Sequence, residues 1–340
     1  MSHPYTPYPA PEPEQWQGGP GADGPMSPEA PGEPLAYHEL HRAGRRGWWR
    51  PIVGVAAMAL LALLVVPAVL QVGVLLYLIT QDGPVIDEFL RLFDLTDITP
   101  FALAFINVTL AALIPITFLL TRVLHGLRPR WLTSVMPRMR WRYLLACLGV
   151  AVLALIATVV VSLLLPSQPT DEISTRINDF DTTTKQFALV VLLLTPLQAA
   201  GEEYAFRGYL TQVFGGLFGT WIAVLGPAVL FALAHGAQSA PVFFDRFAFG
   251  VVAGILVIRT GGLEAGIAMH VLNNWLAFSF ALSFGDMSEV LTPSGGTWWS
   301  IPVTLTQSLV YLWLALLVAR RMGLARTADP TVLVASRRRV

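Results

Sequence analysis

The sequence is poor in charged residues. Asp, Glu, Lys and Arg make up 13% of its 340 residues, 54% are hydrophobic, and the mean hydropathy is +0.60. A soluble domain carries roughly 25% charged residues, so this composition excludes that class. Several uninterrupted apolar runs reach the ~20 residues that cross a bilayer core. The sequence therefore predicts an all-α polytopic membrane helix bundle, with the lipid bilayer as its first partner.

Cysteine is almost absent as well. Cys147 is the single cysteine, so no intrachain disulfide can form. It lies inside an apolar run, which is typical of inert packing rather than of a thiol nucleophile. A cleavable signal peptide is not apparent, because the first apolar run begins only after Arg50 and is long enough to span the membrane. No cofactor, metal or nucleic-acid partner is expected.

The composition divides the chain into three segments. Residues 1–45 are rich in Pro, Gly and Glu and lack the apolar surface that would offset ordering, which predicts a disordered cytoplasmic tail. Residues 46–325 are predicted to form the transmembrane bundle, and residues 326–340 a basic C-terminal tail. The histidines of the N-terminal region and of the basic loop are not site candidates: His3, His38, His41 and His125.

The apolar runs predict about eight transmembrane helices. Their approximate ranges are 52–80, 101–121, 142–165, 187–203, a helix ending near 236, 246–259, 263–284 and 301–319. The basic segments around 41–50, 122–142 and 320–339 alternate with acidic or neutral loops. Because short cytoplasmic loops carry excess Lys and Arg, we expect an integral protein of the cell membrane with both termini cytoplasmic.

Charged and polar residues are concentrated in one apolar stretch, from Gln198 to Asn274. Such residues are costly at membrane depth, and each one is a functional-site hypothesis by default. They form three short patterns: Glu202-Glu203-Tyr-Ala-Phe-Arg207, Phe231-Ala-Leu-Ala-His235 and His270-Val-Leu-Asn-Asn274.

The first pattern suggests different roles for its two acids. Adjacent side chains diverge by about 100° on a helix, so Glu202 and Glu203 are not expected to face one site. Glu203 precedes Arg207 by four residues, the favourable order for an ion pair. Glu202 has no local cation and is the better candidate for a general base. Arg207 could alternatively clamp a substrate carboxylate.

A helical hairpin would place the first two patterns at the same depth in the membrane. If the chain turns near Phe218, Glu202 lies sixteen residues before the turn and His235 seventeen after it. At about 1.5 Å per residue the two side chains reach nearly the same depth. His270 and Asn274 are four residues apart and share a helix face, so they could join this site, whereas Asn273 points elsewhere.

Other polar residues and two glycines have structural interpretations. Gly250 and Gly254 form a pair that permits close approach of two helices. Four charged residues fall at predicted helix ends, where interfacial water would solvate them: Asp245, Arg246, Arg259 and Glu264.

Together the three patterns resemble the EExxxR, FxxxH and HxxxN motifs of the CPBP family, the CAAX-processing and bacteriocin-processing intramembrane proteases, also called the Abi family. The resemblance covers roughly residues 186–280. It implies a glutamate-dependent intramembrane endopeptidase that acts on a membrane-associated protein or peptide. It also implies that Glu202, assisted by His235, activates a water molecule, and that His270 and Asn274 stabilise the oxyanion. The remaining motif residues would order the site: Glu203, Arg207 and Phe231.

Two other functions fit the same residues. The Glu and His side chains could ligate zinc in a metalloprotease, although an HExxH motif is absent from the sequence. The cavity could instead bind a partner in a non-enzymatic scaffold, transporter or immunity protein. The sequence leaves open which substrate is cleaved, whether that substrate is lipidated, and the side to which the site opens.

Overall fold

The computed structural model describes residues 33–94, 98–165, 177–236, 238–285, 287 and 298–333. Within these residues the backbone is helical apart from turns, loops and one small antiparallel sheet. The helices are α1 (Trp49–Leu60), α2 (Val66–Ile79), α3 (Val85–Leu92), α4 (Pro100–Ala111), α5 (Leu113–Val123), α6 (Trp141–Leu164), α7 (Thr182–Glu203), α8 (Thr211–Leu217), α9 (Thr220–Ala234), α10 (Ala240–Thr260), α11 (Glu264–Phe284) and α12 (Ser300–Arg321). Short 3-10 helices cover Tyr37–Ala43 and Pro129–Leu132, and π-helical segments cover Leu61–Val65 and Tyr204–Leu210.

Each predicted membrane span corresponds to a helical segment. Six of them are long and apolar enough to cross a bilayer: 49–79, 100–123, 141–164, 240–260, 264–284 and 301–321. The other two are α7, which carries the polar residues, and α9, which at 15 residues is about 22 Å long. The prediction of an all-α membrane helix bundle is therefore confirmed.

The N-terminal boundary at residue 45 is wrong. Strand β1 (Leu35–Ala36) pairs antiparallel with β2 (Thr327–Ala328), and the 3-10 helix after β1 is packed against the bundle. Tyr37 and Leu40 are both 0% exposed, because their side chains lie one 3-10 turn apart on the same face. The Tyr37 hydroxyl donates a hydrogen bond to the Leu132 carbonyl.

The predicted start of the C-terminal tail at residue 326 is also too early, because the chain beyond it is folded against the bundle. β2 lies beyond it, and Leu333 is also fully buried. The outer parts of both predicted tails, residues 1–32 and 334–340, lie outside the described residues.

Glycines set the closest helix contacts. A Cβ on Gly250 of α10 would lie 3.0 Å from the Ala228 Cα on α9, and one on Gly254 would lie 3.1 Å from Val224 Cγ1. This confirms the predicted close approach at the two glycines. The contact between α7 and α4 is tighter, since a Cβ on Gly201 would lie 2.2 Å from the Leu110 carbonyl oxygen. Glu202 follows directly, so this contact fixes its position.

Candidate active site

The acidic motif lies where the helix geometry changes. α7 ends at Glu203 and continues without a break into the π-helical segment Tyr204–Leu210, which contains Arg207, and then into α8. π-Helical turns occur often at functional sites, because the wider turn redirects side chains. The chain then reverses between Leu217, the end of α8, and Thr220, the start of α9. This is the predicted turn near Phe218.

Helices α4, α7 and α9–α12 enclose a cavity of about 340 Å³. The motif residues that line it are Glu202, Phe231, His235, His270 and Asn274. Glu202 is buried, at 7% exposure, whereas His235 lies just after the last residue of α9 and is exposed. The prediction that Glu202 and the two imidazoles share one pocket is therefore confirmed.

The His270 ring lies between the two adjacent carboxylates. Its Nδ1 is 2.9 Å from Glu203 Oε1, and its Nε2 is 3.3 Å from Glu202 Oε2. Of the two acids only Glu202 lines the cavity, as expected, but both contact one imidazole, which was not expected. Their side chains do diverge along α7, but the imidazole enters from α11 and presents a nitrogen on each of two edges. Because an ionised carboxylate only accepts, a neutral ring can donate to one of the acids and not to both.

The Arg207 side chain is buried in the protein interior. Its Nη1 lies 3.1 Å from Glu203 Oε1, as the i, i+4 spacing predicts, and the residue is 1% exposed. The guanidinium carbon lies 4.1 Å from the ring centroid of Phe231 and 5.6 Å from that of Phe249. Arg207 is absent from the cavity lining. This burial argues against the alternative in which Arg207 clamps a substrate.

His235 is held in one tautomer. Its Nδ1 lies 2.8 Å from the Phe231 carbonyl oxygen, which can only accept, so Nδ1 carries the proton. In the neutral ring Nε2 is then the nitrogen that can accept a hydrogen bond. Phe231 also packs edge-on against His235 and His270, with centroid distances of 4.7 and 5.9 Å. One aromatic ring therefore positions both imidazoles.

Both asparagines line the cavity, which was expected for Asn274 only. Asn274 Nδ2 donates to Gln198 Oε1 at 3.0 Å, which keeps one of its N–H groups available for another acceptor. Asn273 also lines the cavity, where its Oδ1 accepts from Gln307 Nε2 at 3.1 Å. The prediction that Asn273 points away from the site is wrong, because α12 closes that side of the cavity.

Three charged residues assigned to solvated helix ends have other surroundings. α10 begins at Ala240, earlier than the predicted 246, so Asp245 and Arg246 lie inside the helix and line the cavity. Glu264 is 0% exposed and pairs with Arg140 Nη2 at 2.6 Å. The periodicity of the sequence does not indicate that Glu264 has a partner, because Arg140 lies on a distant loop.

Gly266 is a site residue that the sequence analysis missed. It lies on α11 one turn before His270, and an added Cβ would be 2.5 Å from Glu203 Oε2. Only a residue without a side chain leaves room for this carboxylate. The signal available in the sequence is the spacing of four residues, which puts Gly266 on the same face as His270.

The described side chains do not form a metal site. Among these residues no group of three or more His, Cys, Asp or Glu is arranged to hold a metal ion. The zinc alternative lacks its ligand set here, since catalytic zinc needs about three protein ligands. Cys147 is buried and lies outside the cavity lining.

Comparison with known proteins points to the same stretch. Residues 184–276 match the profile of the family described as Rce1-like, type II CAAX prenyl endopeptidase Rce1-like. The uncharacterized protein YyaK of Bacillus subtilis (strain 168) is 30% identical over 139 residues, which cover 37% of this chain and 46% of YyaK. The match thus spans less than half the length of that relative. No solved structure matches the chain significantly. Since the matched range contains all three motifs, the Rce1-like match at residues 184–276 agrees with the resemblance to the CPBP family.

Proposed function

We propose that this protein is an intramembrane endopeptidase that hydrolyses a peptide bond of a membrane-associated protein or peptide. One observation carries the proposal: Glu202 is buried, has no Lys or Arg partner among the described ion pairs, and lines a cavity with His235 and His270. A carboxylate beside an imidazole in a cavity that is large enough for water and a peptide group is suited to activating water. The Rce1-like match over the same residues supports this reaction class.

In the proposed mechanism a water molecule lies between Glu202 and Nε2 of His235. Both groups accept hydrogen bonds from the water, which leaves an oxygen lone pair for attack on the scissile carbonyl carbon. Glu202 takes the proton as the new C–O bond forms, and later gives it to the departing amine nitrogen. Such general acid–base catalysis contributes about 10²–10⁴ in rate.

The oxyanion of the tetrahedral intermediate requires donors. Asn274 can supply the N–H that is not bonded to Gln198. His270 can donate to the oxyanion in the form of the ring that carries a proton on Nε2. Each such donor is worth roughly 10²–10³ in turnover. The buried Glu203–Arg207 pair and the Phe231 ring hold these groups in place, a site-ordering role.

We further propose the membrane arrangement. The bundle over residues 46–325 crosses the cell membrane with both termini cytoplasmic, supported by the basic segments that precede α1, follow α5 and follow α12. Reporter fusions that fold only on one side of the membrane, placed after Val123 and after Leu165, test the orientation. Equal signals from both positions would contradict it.

The decisive experiment compares membranes that contain the native protein with membranes that contain Glu202→Gln. The variant keeps the volume of the side chain but removes the base, so precursors that the native protein cleaves should accumulate. Glu88→Gln, which changes an exposed acid on α3, is the matched control and should behave like the native protein. Identical proteomes for the native and Glu202→Gln membranes, with equal amounts of folded protein, would overturn the proposal.

A further inference from the structure

Arg246 and its neighbour Asp245 are charged residues of the cavity that the mechanism does not use. Among the described lining residues Arg246 is the only Lys or Arg, and it shares the cavity with Glu202 and His235. It is half-buried on the first turns of α10. A cation at this depth is costly and is expected to serve a purpose.

Among the described residues, the guanidinium of Arg246 has one hydrogen-bond acceptor, the side chain of Gln238. Nη1 donates to Gln238 Oε1 at 2.6 Å, and Gln238 Nε2 donates to the Ala232 carbonyl at 2.6 Å, which anchors the group to the segment after α9. The neighbouring Asp245 accepts from the Thr304 hydroxyl and makes no ion pair with Arg246 in the described part of the chain. A guanidinium has five N–H donors, so a planar fork remains for a ligand.

The buried arginines Arg207 and Arg140 differ from Arg246 in having a carboxylate partner. Arg207 pairs with Glu203 at 3.1 Å, and Arg140 pairs with Glu264 at 2.6 Å. Each has a carboxylate supplied by the fold, whereas no described carboxylate lies within ion-pair distance of Arg246. Asp245 and Glu202 are close enough to act on Arg246 electrostatically, but a direct contact between its guanidinium and a carboxylate is one that a bound molecule can bring.

From this arrangement we infer that Arg246 is a specificity-determining residue that binds a carboxylate of the peptide substrate close to the bond being cleaved. The inference rests on the proposed peptidase function. A guanidinium fork binds a carboxylate through two parallel hydrogen bonds, which gives orientation as well as affinity. Arg246 would also offset the charge of Glu202, which otherwise repels an anionic substrate from the cavity. The carboxylate can be the C-terminus of the peptide or an acidic side chain.

Binding is measured first, with three pooled libraries of short membrane-anchored peptides. One pool has a free C-terminal carboxylate and no acidic residue, one has a C-terminal amide and no acidic residue, and one has a C-terminal amide with Asp and Glu. The protein is the Glu202→Gln variant, so that no cleavage occurs. We expect one carboxylate-bearing pool to bind roughly ten- to a hundredfold more tightly than the neutral pool. The pool that does so identifies the source of the carboxylate.

Variants of Arg246 then test the residue. Adding Arg246→Gln should reduce binding of the preferred pool to the level of the neutral pool, and Arg246→Lys should give an intermediate value because it keeps the charge without the fork. Arg259→Gln, on an exposed position near the end of the same helix, is the matched control and should leave the preference unchanged. If Arg246→Gln does not fold, the binding preference is measured with Arg246→Lys alone, and a reduced preference in that variant supports the inference. A preference that survives intact in the folded variants, or equal binding of all pools, would overturn the inference.

Cleavage of the same pools separates this inference from the proposed function. On the otherwise native protein, Arg246→Gln should raise KM for the preferred pool with a smaller effect on kcat. Glu202-dependent cleavage with no Arg246-dependent preference would defeat the inference alone. An Arg246-dependent binding preference without any Glu202-dependent product would defeat the peptidase function and leave the carboxylate site standing.

Discussion

His270 Nδ1 lies 2.9 Å from Glu203 Oε1. Glu203 also pairs with Arg207, and the other ring nitrogen of His270 lies 3.3 Å from Glu202. These contacts form a continuous series from the buried guanidinium to the carboxylate at the cavity. The series explains why the motif needs two adjacent acids: Glu203 orients the imidazole, and Glu202 is left to act on water.

Replacement of His270 by Ala should abolish most of the activity. The change removes the contact with both carboxylates and one proposed oxyanion donor, so we expect a decrease of about 10²–10⁴ in kcat/KM. The measurement is cleavage of a membrane-associated substrate, at equal amounts of folded, inserted protein. Activity within a few-fold of the native value would show that His270 is structural.

Gly266→Ala should disturb the same series without altering any polar group. The new methyl group would lie 2.5 Å from Glu203 Oε2, so the carboxylate must move away from His270 and Arg207. We expect a loss of about 1–3 kcal/mol in stability and reduced activity. Gly149→Ala is the matched control, because its added Cβ meets nothing within 4 Å. Equal effects of the two substitutions on stability and activity would rule out the steric explanation.

The sequence was sufficient to predict the helices and the depth of the main site residues. Apolar runs locate spans directly, and the hairpin around Phe218 follows from three nearby glycines, Gly215, Gly216 and Gly219, with helices of known rise on either side. The place of His270 in the pocket rested on the resemblance of the motifs, whereas the equal depth of Glu202 and His235 was predicted from these two facts. Each depends only on local periodicity, which a single sequence records well.

Contacts between distant segments could not be predicted in this way. The meeting of Glu202 and Glu203 at one imidazole depends on the approach direction of α11, and the burial of Glu264 depends on Arg140, 124 residues away. The folding of residues 35–43 depends on a strand partner near the other end of the chain. Local composition there resembles a disordered tail, and only the tertiary contacts of Tyr37 and Leu40 show otherwise.

Glu203→Gln should lower the free energy of unfolding of the protein. Arg207 is 1% exposed and has no other carboxylate partner in the described ion pairs, so the substitution leaves a buried unpaired cation. Breaking such a pair costs about 3–5 kcal/mol. The measurement is thermal unfolding of purified protein in one detergent.

The double variant Glu203→Gln/Arg207→Met separates charge from packing. Methionine fills the same apolar surroundings of Phe231 and Phe249 without a charge, so most of the lost stability should return. Activity should remain low, because Glu203 still cannot hold His270. If the single variant is as stable as the native protein, the pair does not contribute to the fold as described.

Acidification should loosen the N-terminal segment from the bundle. The rings of His41 and His125 stack with centroids 4.0 Å apart, and His125 Nε2 lies 3.1 Å from the Tyr209 hydroxyl. Burial and, to a lesser extent, the nearby charge of Arg50 lower the pKa of His125 from 6.5 to about 4. Burial, together with His125, also lowers the pKa of His41 well below its ordinary value.

The direction of the pH effect follows from these shifts. Both imidazoles are neutral in the folded protein, whereas in the unfolded chain they bind protons below about pH 6.5. Their neutral packing therefore contributes its full stability above that pH and loses it as the pH falls toward 4. For His125 alone the loss by pH 5 is about 2 kcal/mol. The loss is measured as the difference in the free energy of unfolding between about pH 7.5 and about pH 5 in one detergent. His125→Gln should reduce this difference. An unchanged difference in that variant would assign the pH dependence to other groups.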